Sequence, residues 1–362
     1  MKYRVAFLSV VPSPYQRDMF AALARRSDVD LRVYYMEAAA PDSPWPERAL
    51  PDYSRILRGF WFSIGSARCH VNFPLPNFRD RDVVVLNTMM SATAQWLMRF
   101  GLRRKPWIFW GERLAEREPG ERDRLHDRLT APLHRAAAIV GIGSLAECQY
   151  ATRFPEPRIY SIPYHCELAP FMDAPRPARN PGEVVFFFCG QMIARKGVDH
   201  LLTAFAKVAE RHPGVRLLLA GREAELPGLL AKVPEGVRGR IEYAGFQPPE
   251  ELPRFFARAD VFILPSRYDG WGVVVNQAIG AGLPVICSNA AGAGHDLVEP
   301  GVNGMRFPPE DVAALASCME CFVSDAKLAA KWGAASRAKA EVWTPDSGAA
   351  KWMNVFQEVT GK

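Results

Sequence analysis

The sequence predicts an α/β protein built from two doubly wound domains, each with a mostly parallel sheet between helices. Three observations carry this reading. Short β-branched and aromatic runs alternate with amphipathic stretches along the chain. Residues 174–182, rich in Pro and small side chains, interrupt that alternation near the middle, and it restarts at Glu183. Finally, 362 residues that are 49% hydrophobic and 23% charged can bury two cores, each belonging to a domain of about 170 residues.

In the first half, strands are expected at 4–10, 31–35, 83–86, 107–110, 138–142 and 158–162. Amphipathic helices are expected at 17–26, 92–100 and 122–136. Residues 41–78, crowded with Pro and aromatics, break the rhythm and read as an irregular excursion. In the second half, strands are expected at 184–189, 216–220, 240–243, 261–264 and 284–287. Helices should follow at 198–211, 249–257, 272–281, 312–324 and 326–342. The domains are therefore 1–173 and 183–345, with 174–182 as the linker. Ligands of such sheets bind beyond the carboxyl ends of the strands. That rule selects the loops starting at Pro12, Asn87, Gly111, Pro163, Gly190, Gly221, Ser266 and Ser288.

No apolar run approaches the roughly 18 residues that cross a bilayer. The apolar start, 1–11, runs straight into Pro12 and has no small-residue cleavage site, so it reads as a first strand and not a signal peptide. A cytoplasmic protein is expected. The seven cysteines are scattered, and Cys318 and Cys321 form the single close pair, in an apolar helical stretch; reduced thiols fit this better than a zinc or redox site. The net charge of +6 lies wholly in residues 1–172, where 24 Lys/Arg oppose 18 Asp/Glu; the remainder has 21 of each. An anionic acceptor or membrane surface suits that imbalance, and no nucleic-acid partner is indicated. Within it, Trp96, Leu97, Phe100 and Leu102 mix with Arg99, Arg103, Arg104 and Lys105. This segment has two readings. It is either a basic, aromatic helix end lying on an anionic membrane, or a core-facing helix whose cations complement its dipole.

Among the motifs, Gly141-Ile142-Gly143-Ser144-Leu145-Ala146 fits G-x-G-x-x-A. It follows the fifth strand of its domain, whereas a dinucleotide fingerprint follows the first, so a tight strand-to-helix turn explains the glycines. Residues 264–288, LPSRYDGWGVVVNQAIGAGLPVICS, carry more. A strand ends at Pro265, a polar loop follows, and Gly272 opens a helix bearing Gln277 before the Gly282-Leu283-Pro284 break. A helix start offers unpaired amides and a positive dipole end, which suits a diphosphate. Asp269 lies just before that start, placed to meet a sugar, and Gln277 about a turn and a half inside, placed to meet a ribose.

This stretch resembles the signature of retaining glycosyltransferase family 4, E-x-F-G-x-x-x-x-E, with Asp269 and Gln277 at the acidic positions and Trp271-Gly272 at the aromatic-glycine pair. The resemblance extends over about 183–310. It includes Phe188-Cys189-Gly190-Gln191 with Arg195-Lys196-Gly197-Val198-Asp199, Leu218-Leu219-Ala220-Gly221, Tyr243-Ala244-Gly245-Phe246, and the glycine-rich 292–304. Three positions depart from the family pattern: Asp269 replaces a glutamate, Gln277 a glutamate, and Gln191 an arginine that Arg195 would replace. The resemblance implies a GT-B fold, two Rossmann-like domains facing each other across a cleft, with a C-terminal helix in 346–362 packing back on the first domain. It implies transfer of a sugar from a UDP- or GDP-sugar to a glycan or lipid-linked acceptor, by a protein that is cytoplasmic or peripheral on the inner membrane face. The donor site would comprise Gly190, Gln191, Arg195, Lys196, Gly221, Phe246, Asp269, Gly270, Trp271, Gly272, Val273, Val274 and Gln277. Asp269, Lys196 and Arg195 would carry the chemistry, and Ser13, Tyr15, Gln16, Arg17, Glu112 and His165 would face the acceptor. A nucleotide-sugar epimerase of similar fold and a non-catalytic nucleotide-sugar-binding subunit are the alternatives. No metal or other cofactor is expected. The two Asp-x-Asp matches, Asp28-Val29-Asp30 and Asp80-Arg81-Asp82, precede their strands and so would sit at the edge away from ligands.

Overall fold

β-Branched and aromatic runs become central parallel strands, because helices cover both faces of such a sheet. In the computed structural model, residues 2–39, 49–64, 67–114, 124–178, 180, 182–325 and 327–362 are described. The first elements are β1 (Tyr3–Ser9), α1 (Pro14–Arg25), β2 (Val29–Tyr35), β3 (Ser54–Ile56), β4 (Gly59–Ile64), β5 (Ala67–Asn72) and β6 (Val83–Leu86). Then come α2 (Ala92–Trp96), β7 (Trp107–Gly111), α3 (Arg124–Thr130), β8 (Ala138–Gly141), α4 (Ser144–Arg153) and β9 (Arg158–Ser161). The second series is α5 (Ala169–Met172), β10 (Val184–Cys189), α6 (Val198–Arg211), β11 (Val215–Ala220), α7 (Leu226–Leu230), α8 (Glu235–Arg238) and β12 (Ile241–Tyr243). It continues with α9 (Leu252–Ala257), β13 (Val261–Leu264), α10 (Val274–Gly280), β14 (Val285–Ser288), α11 (Gly292–Leu297) and β15 (Gly304–Phe307). Three helices close the chain: α12 (Val312–Ser324), α13 (Leu328–Val342) and α14 (Pro345–Thr360).

The chain divides into two units, Met1–Cys166 with Pro345–Lys362, and Glu167–Thr344. Unit 1 has a sheet ordered β3-β2-β1-β6-β7-β8-β9, and unit 2 one ordered β12-β11-β10-β13-β14-β15. Every pairing within these two sheets is parallel. Each order reverses direction once, between β1 and β6 in unit 1 and between β10 and β13 in unit 2. Those are the topological switch points where such sheets bind ligands.

Aromatic clusters fix both cores. In unit 1, Phe7 on β1 meets Phe20 of α1 at 4.9 Å and Trp352 of α14 at 5.2 Å, both edge to face. The C-terminal helix is thus part of this unit's core. In unit 2, Phe187 on β10 meets Phe256 of α9 at 4.9 Å, and Phe256 stacks on Phe262 of β13 at 5.5 Å.

Four local expectations differ from the structure. The segment 41–78 is not wholly irregular; 41–48 and 65–66 lie outside the described residues, but β3 extends the sheet beside β2 and β4–β5 form an antiparallel ribbon. Its alternation was hidden because the ribbon's polar side chains face inward: Asn72 Nδ2 donates to Met36 O at 2.9 Å, and the Asn72 amide to Thr93 Oγ1 at 2.8 Å. The expected helix 92–100 changes at Leu97 into a π turn, Leu97–Gly101, closed by the Leu102 amide on Leu97 O at 2.9 Å. The Trp96 ring covers Gly101, where a Cβ would lie 2.7 Å from it. The crossing between units falls at Cys166–Glu167, ahead of the Pro-rich stretch, because α5 is packed in unit 2: Phe171 meets Phe256 edge to face at 5.2 Å. Lastly, β15 pairs with β14 although its short run, Gly-Met-Arg-Phe, shows little β-branching.

Candidate active site

The loop after β10 reaches the switch point of unit 2 through a short 3₁₀ turn, Ala194–Lys196. Gly197 ends that turn with φ +68°, and a Cβ there would sit 2.1 Å from Pro265 O. A glycine is therefore required where this loop crosses the end of β13. The crossing puts Lys196 Nζ 2.5 Å from Asp269 Oδ2, and Ser266 Oγ donates to the same oxygen at 3.4 Å. Both Ser266 and Asp269 are buried, Asp269 with 8% of its surface exposed.

Arg267 clamps the two loops. Its guanidinium donates to both Asp199 oxygens at 2.7 Å and to Ala194 O at 2.5 Å, and its amide donates to Arg195 O at 2.9 Å. These bonds to Arg267, together with its charge, hold the Asp199 carboxyl below the usual carboxylate range despite partial burial. The Arg195 guanidinium donates to Tyr268 O at 3.0 Å, so it also lies along this seam.

Asp269 is fixed from its other side by the turn before α11. Its amide donates to Ala290 O at 3.1 Å and its carbonyl accepts from Gly292 at 3.1 Å. A Cβ at Gly292 would fall 2.3 Å from Gly270 O. The Trp271 indole points into the core, fully buried, donating to Asn276 Oδ1 at 2.9 Å and lying parallel to Trp343 at 6.5 Å. What Trp271 brings to the loop is packing and a carbonyl that accepts from Ala293 at 2.8 Å. Gly272, φ +94°, turns the chain into α10 past Val273 and Val274, and carbonyls 272 and 273 take the amides of Val275 and Asn276. Gln277 follows on α10, half-buried, and its Oε1 is a buried acceptor without a partner among the described residues.

The other strand ends complete this edge. The Gly190 amide donates to Ala220 O at 2.9 Å, and Gly221, φ +132°, would place a Cβ 1.8 Å from Gly190 O. Gln191 follows Gly190, with its carbonyl accepting from Ile193 at 3.0 Å. Phe246, just past β12, is 45% exposed. Thus Gly190, Gln191, Arg195, Lys196, Gly221, Phe246, Asp269 to Val274 and Gln277 all occur on loops or a helix following the carboxyl ends of β10, β11, β12 and β13.

In unit 1, Gln16 Nε2 donates to Asn87 Oδ1 at 2.7 Å, and Asn87 Nδ2 to Trp110 O at 2.8 Å. This amide chain spans the unit's switch point. Ser13 starts α1; its Oγ is buried without a partner among the described residues, and its carbonyl accepts from Arg17 at 3.1 Å. The Arg17 guanidinium reaches Ala49 O at 3.3 Å. Tyr15 packs on Tyr164, ring centroids 4.7 Å apart. Burial, then the Glu112 carboxylate, pushes the Tyr164 phenol far above its ordinary range. His165 is 1% exposed, with Nδ1 3.2 Å from Ser347 Oγ and Gly348 closely packed on its ring. It is sealed under α14.

The Asp-x-Asp aspartates stand at the amino ends of β2 and β6, each bound by a cation: Asp28 by Arg26, Asp30 and Asp80 by Arg81, Asp82 by Arg4 and Lys362. Sequence reasoning missed Ser266 as a partner of Asp269, and the Arg267–Asp199 and Gln16–Asn87 bonds. Their partners are 68 and 71 residues apart, so no local pattern announces them.

Residues 173–339 match the family model Glycosyl transferases group 1. A stretch of 165 residues, 45% of this chain and 39% of the other, is 30% identical to the glycogen synthase of Mycobacterium tuberculosis. The chain thus spans about two-fifths of that curated relative. The fold superimposes on sucrose-phosphate synthase from Thermosynechococcus elongatus at a TM-score of 0.76, with 20% identity over 99% of this chain and 100% of that one. It also superimposes on Anabaena Alr3699/HepE, solved in complex with UDP, at 0.72, with 16% identity over 99% and 100%. The fold is GT-B, and residues 173–339, within the C-terminal unit, are similar to the group 1 glycosyl transferases.

Proposed function

We propose that this protein transfers a sugar from a UDP- or GDP-sugar to a glycan or lipid-linked acceptor, with retention of anomeric configuration and without a metal. The observation that carries the reading is the part-buried Lys196–Asp269 pair at the switch point, 2.5 Å apart and clamped from both flanks. Before the donor binds, the two charges neutralise one another. A nucleoside diphosphate would draw the ammonium onto its oxygens, and the freed carboxylate would accept bonds from sugar hydroxyls. Arg195 would add a second cation on the same loop, and the amides that start α10 would face the phosphates.

The anomeric C–O bond to the diphosphate breaks as charge builds on the phosphate held by Lys196. The acceptor oxygen forms the new C–O bond on the same face, and its proton passes to the departing phosphate oxygen. No protein base is needed for that step. Metal independence is supported by the cationic partners of all four Asp-x-Asp carboxylates, at the amino ends of their strands in unit 1 and not at the carboxyl ends where such sheets bind ligands. The acceptor is assigned to the polar edge of unit 1, where Gln16 and Asn87 offer neutral amides suited to hydroxyls.

Segment 96–105 serves two ends at once. Leu97 and Leu102 are core residues, 2% exposed each, whereas Trp96 and Phe100 are 50% and 54% exposed among Arg99, Arg103 and Arg104. Contact of these with an anionic inner membrane face is part of the proposal. No helix among the described residues is long and apolar enough to cross a membrane.

The test combines binding with turnover. At 100 times its dissociation constant, the correct nucleotide stabilises its unit by about 2.7 kcal/mol, so a melting panel of UDP, GDP and their sugars identifies the donor. Turnover should persist in excess EDTA, and the product anomer, read by NMR, should match the donor. Activity that vanishes with EDTA and returns with magnesium would refute the mechanism; nucleotide binding without any turnover or donor hydrolysis would favour the non-catalytic alternative.

A further inference from the structure

The β4–β5 ribbon is built inside out. Opposite residues of an antiparallel pair share a face, and the faces alternate along each strand. One face carries Gly59/Asn72, Trp61/His70 and Ser63/Arg68, the other Phe60/Val71 and Phe62/Cys69. Pairing continues past the ribbon through the Phe73 amide on Arg58 O, 3.0 Å, which puts Phe73 in line with Val71 and Cys69.

On β5 the polar face looks inward, whereas Trp61 opposite it on β4 is 45% exposed. Asn72 and His70 are buried, 5% and 3% exposed. Thr93 of α2 bonds both strand residues, donating to His70 O at 3.3 Å and accepting from the Asn72 amide. Glu37 meets Arg68 and His70, each at 3.1 Å, and the Arg68 guanidinium lies 4.0 Å from the centre of the Trp61 ring. The apolar face is turned to solvent: Phe60 is 63% exposed, Phe62 44% and Phe73 80%. Such a face has lost the alternation that keeps a ribbon soluble, so it is made to be covered.

Its size and charge say by what. Six residues at about 3.3 Å each, on two strands about 4.8 Å apart, give an apolar face on the order of 200–300 Å². A specific protein interface needs about 800 Å² per partner, so this face is too small to hold a second copy. The charge beside it is basic: Arg55 and Arg58 stand near this face against Asp52, while Arg68 on the other face is paired with Glu37. A cavity of about 390 Å³ at the ribbon's base is lined by Arg55, Ile56, Leu57, Arg58, Pro74 and Leu75. Guanidinium groups beside apolar walls fit a phosphate with an acyl chain below it.

We infer that the outer face of the β4–β5 ribbon, Phe60, Phe62 and Phe73 flanked by Arg55 and Arg58, inserts into the interface of an anionic bilayer. This deepens the membrane contact proposed for Trp96, at the end of the helix that carries Thr93, and for Phe100 in the π turn that follows. It adds a second, structurally separate anchor. One weak contact gives marginal attachment, and two give stable attachment.

The experiment is sedimentation of the full chain with vesicles of phosphatidylcholine alone or with 30% phosphatidylglycerol, an arbitrary working fraction of about that size. The wild type should bind the anionic vesicles, at least tenfold more tightly at low salt than at high salt. A Phe60→Ser/Phe62→Ser/Phe73→Ser variant should bind at least tenfold more weakly, and Arg55→Glu/Arg58→Glu likewise. Phe73→Ser alone, at the most exposed position, should weaken binding severalfold without disturbing the ribbon. In all of them the melting shift caused by the nucleoside diphosphate should be unchanged, which separates this inference from the assignment of the donor site. Failure of the wild type to bind anionic vesicles would overturn it. So would wild-type binding by the triple variant, even if Trp96→Ser/Phe100→Ser abolished attachment. A wild-type dimer in light scattering that the triple variant converts to a monomer would show a subunit face instead.

Discussion

The two units share one sheet plan and fill their switch points with different chemistry. In unit 2 the crossing of β10 and β13 holds opposite charges, Lys196 and Asp269, backed by the Arg267–Asp199 pair. In unit 1 the crossing of β1 and β6 holds neutral amides, Gln16 and Asn87. A charged pair drawn partly out of water is costly unless something else uses the charges, whereas an amide pair satisfies itself. Under the proposed function, the contrast suits a diphosphate and a developing negative charge in unit 2, and a polyhydroxyl acceptor in unit 1.

Asp269 tests the charged side most severely. Asp269→Ala should lower turnover about a hundredfold or more, the scale of losing one preorganised electrostatic group. Nucleoside diphosphate affinity should hold or rise, because Lys196 loses its competing carboxylate. Calorimetry and initial rates on one preparation read both. Collapse of diphosphate binding would reverse the placement of donor along α10.

Lys196→Ala should instead weaken diphosphate and donor together by about 1.5–3 kcal/mol. Arg195→Ala should fall at the low end of that range or below it, since its guanidinium already donates to Tyr268 O and is exposed. An unchanged affinity in Arg195→Ala would remove Arg195 as the substitute for the arginine absent at Gln191.

Smaller effects separate the amides. Gln277→Ala should raise donor KM severalfold more than it lowers kcat, while Gln277→Glu should preserve or tighten nucleotide binding, its charge-assisted bonds being about twice as strong. Gln16→Ala should raise acceptor KM and leave the nucleotide-induced melting shift untouched. Equal effects of Gln16→Ala on donor and acceptor would erase the division of labour between units.

Much of this was legible in the chain itself. The strands at 83–86, 184–189 and 261–264, and the helices at 198–211 and 312–324, stand where apolar periodicity placed them, because their apolar residues are the ones that pack inward and their ends are punctuated by Gly, Pro or polar residues. The ribbon at 59–72 was not legible, since its alternation is inverted relative to ordinary burial. Around the site, the loop glycines and Asp269 could be read from local pattern. Ser266's bond to Asp269 and the direction of the Trp271 ring could not. The first depends on how the 266–269 turn folds back on itself, and the second on Asn276 and Trp343 receiving an indole that the motif alone leaves free to turn outward.

The smallest expected effect is on acid stability, and it tests whether the clamp behind Lys196 works in the folded protein. Arg267 lowers the Asp199 pKa below its ordinary value, first through its hydrogen bonds and then, against the opposing cost of burial, through its charge. A carboxyl with a depressed folded pKa contributes stability above its unfolded pKa, about 3.9, and that contribution is lost as pH falls through the folded value. Arg267→Ala should therefore destabilise unit 2 modestly at pH 7, because the pair is partly exposed and screened. The deficit relative to wild type should shrink as pH drops below about 4. Because the same bonds hold Ala194 O and the 194–199 loop, Arg267→Ala should also raise the diphosphate dissociation constant, while Arg267→Lys, keeping one charge but not the fork, should recover part of the stability and less of the affinity. Urea melts at pH 7 and pH 3.5 (values chosen about either side of the free carboxyl), with calorimetry at pH 7, read all three. A stability deficit that is independent of pH, with diphosphate affinity intact, would mean that Arg267 is a surface ion-pair residue and that Lys196 holds its place without it.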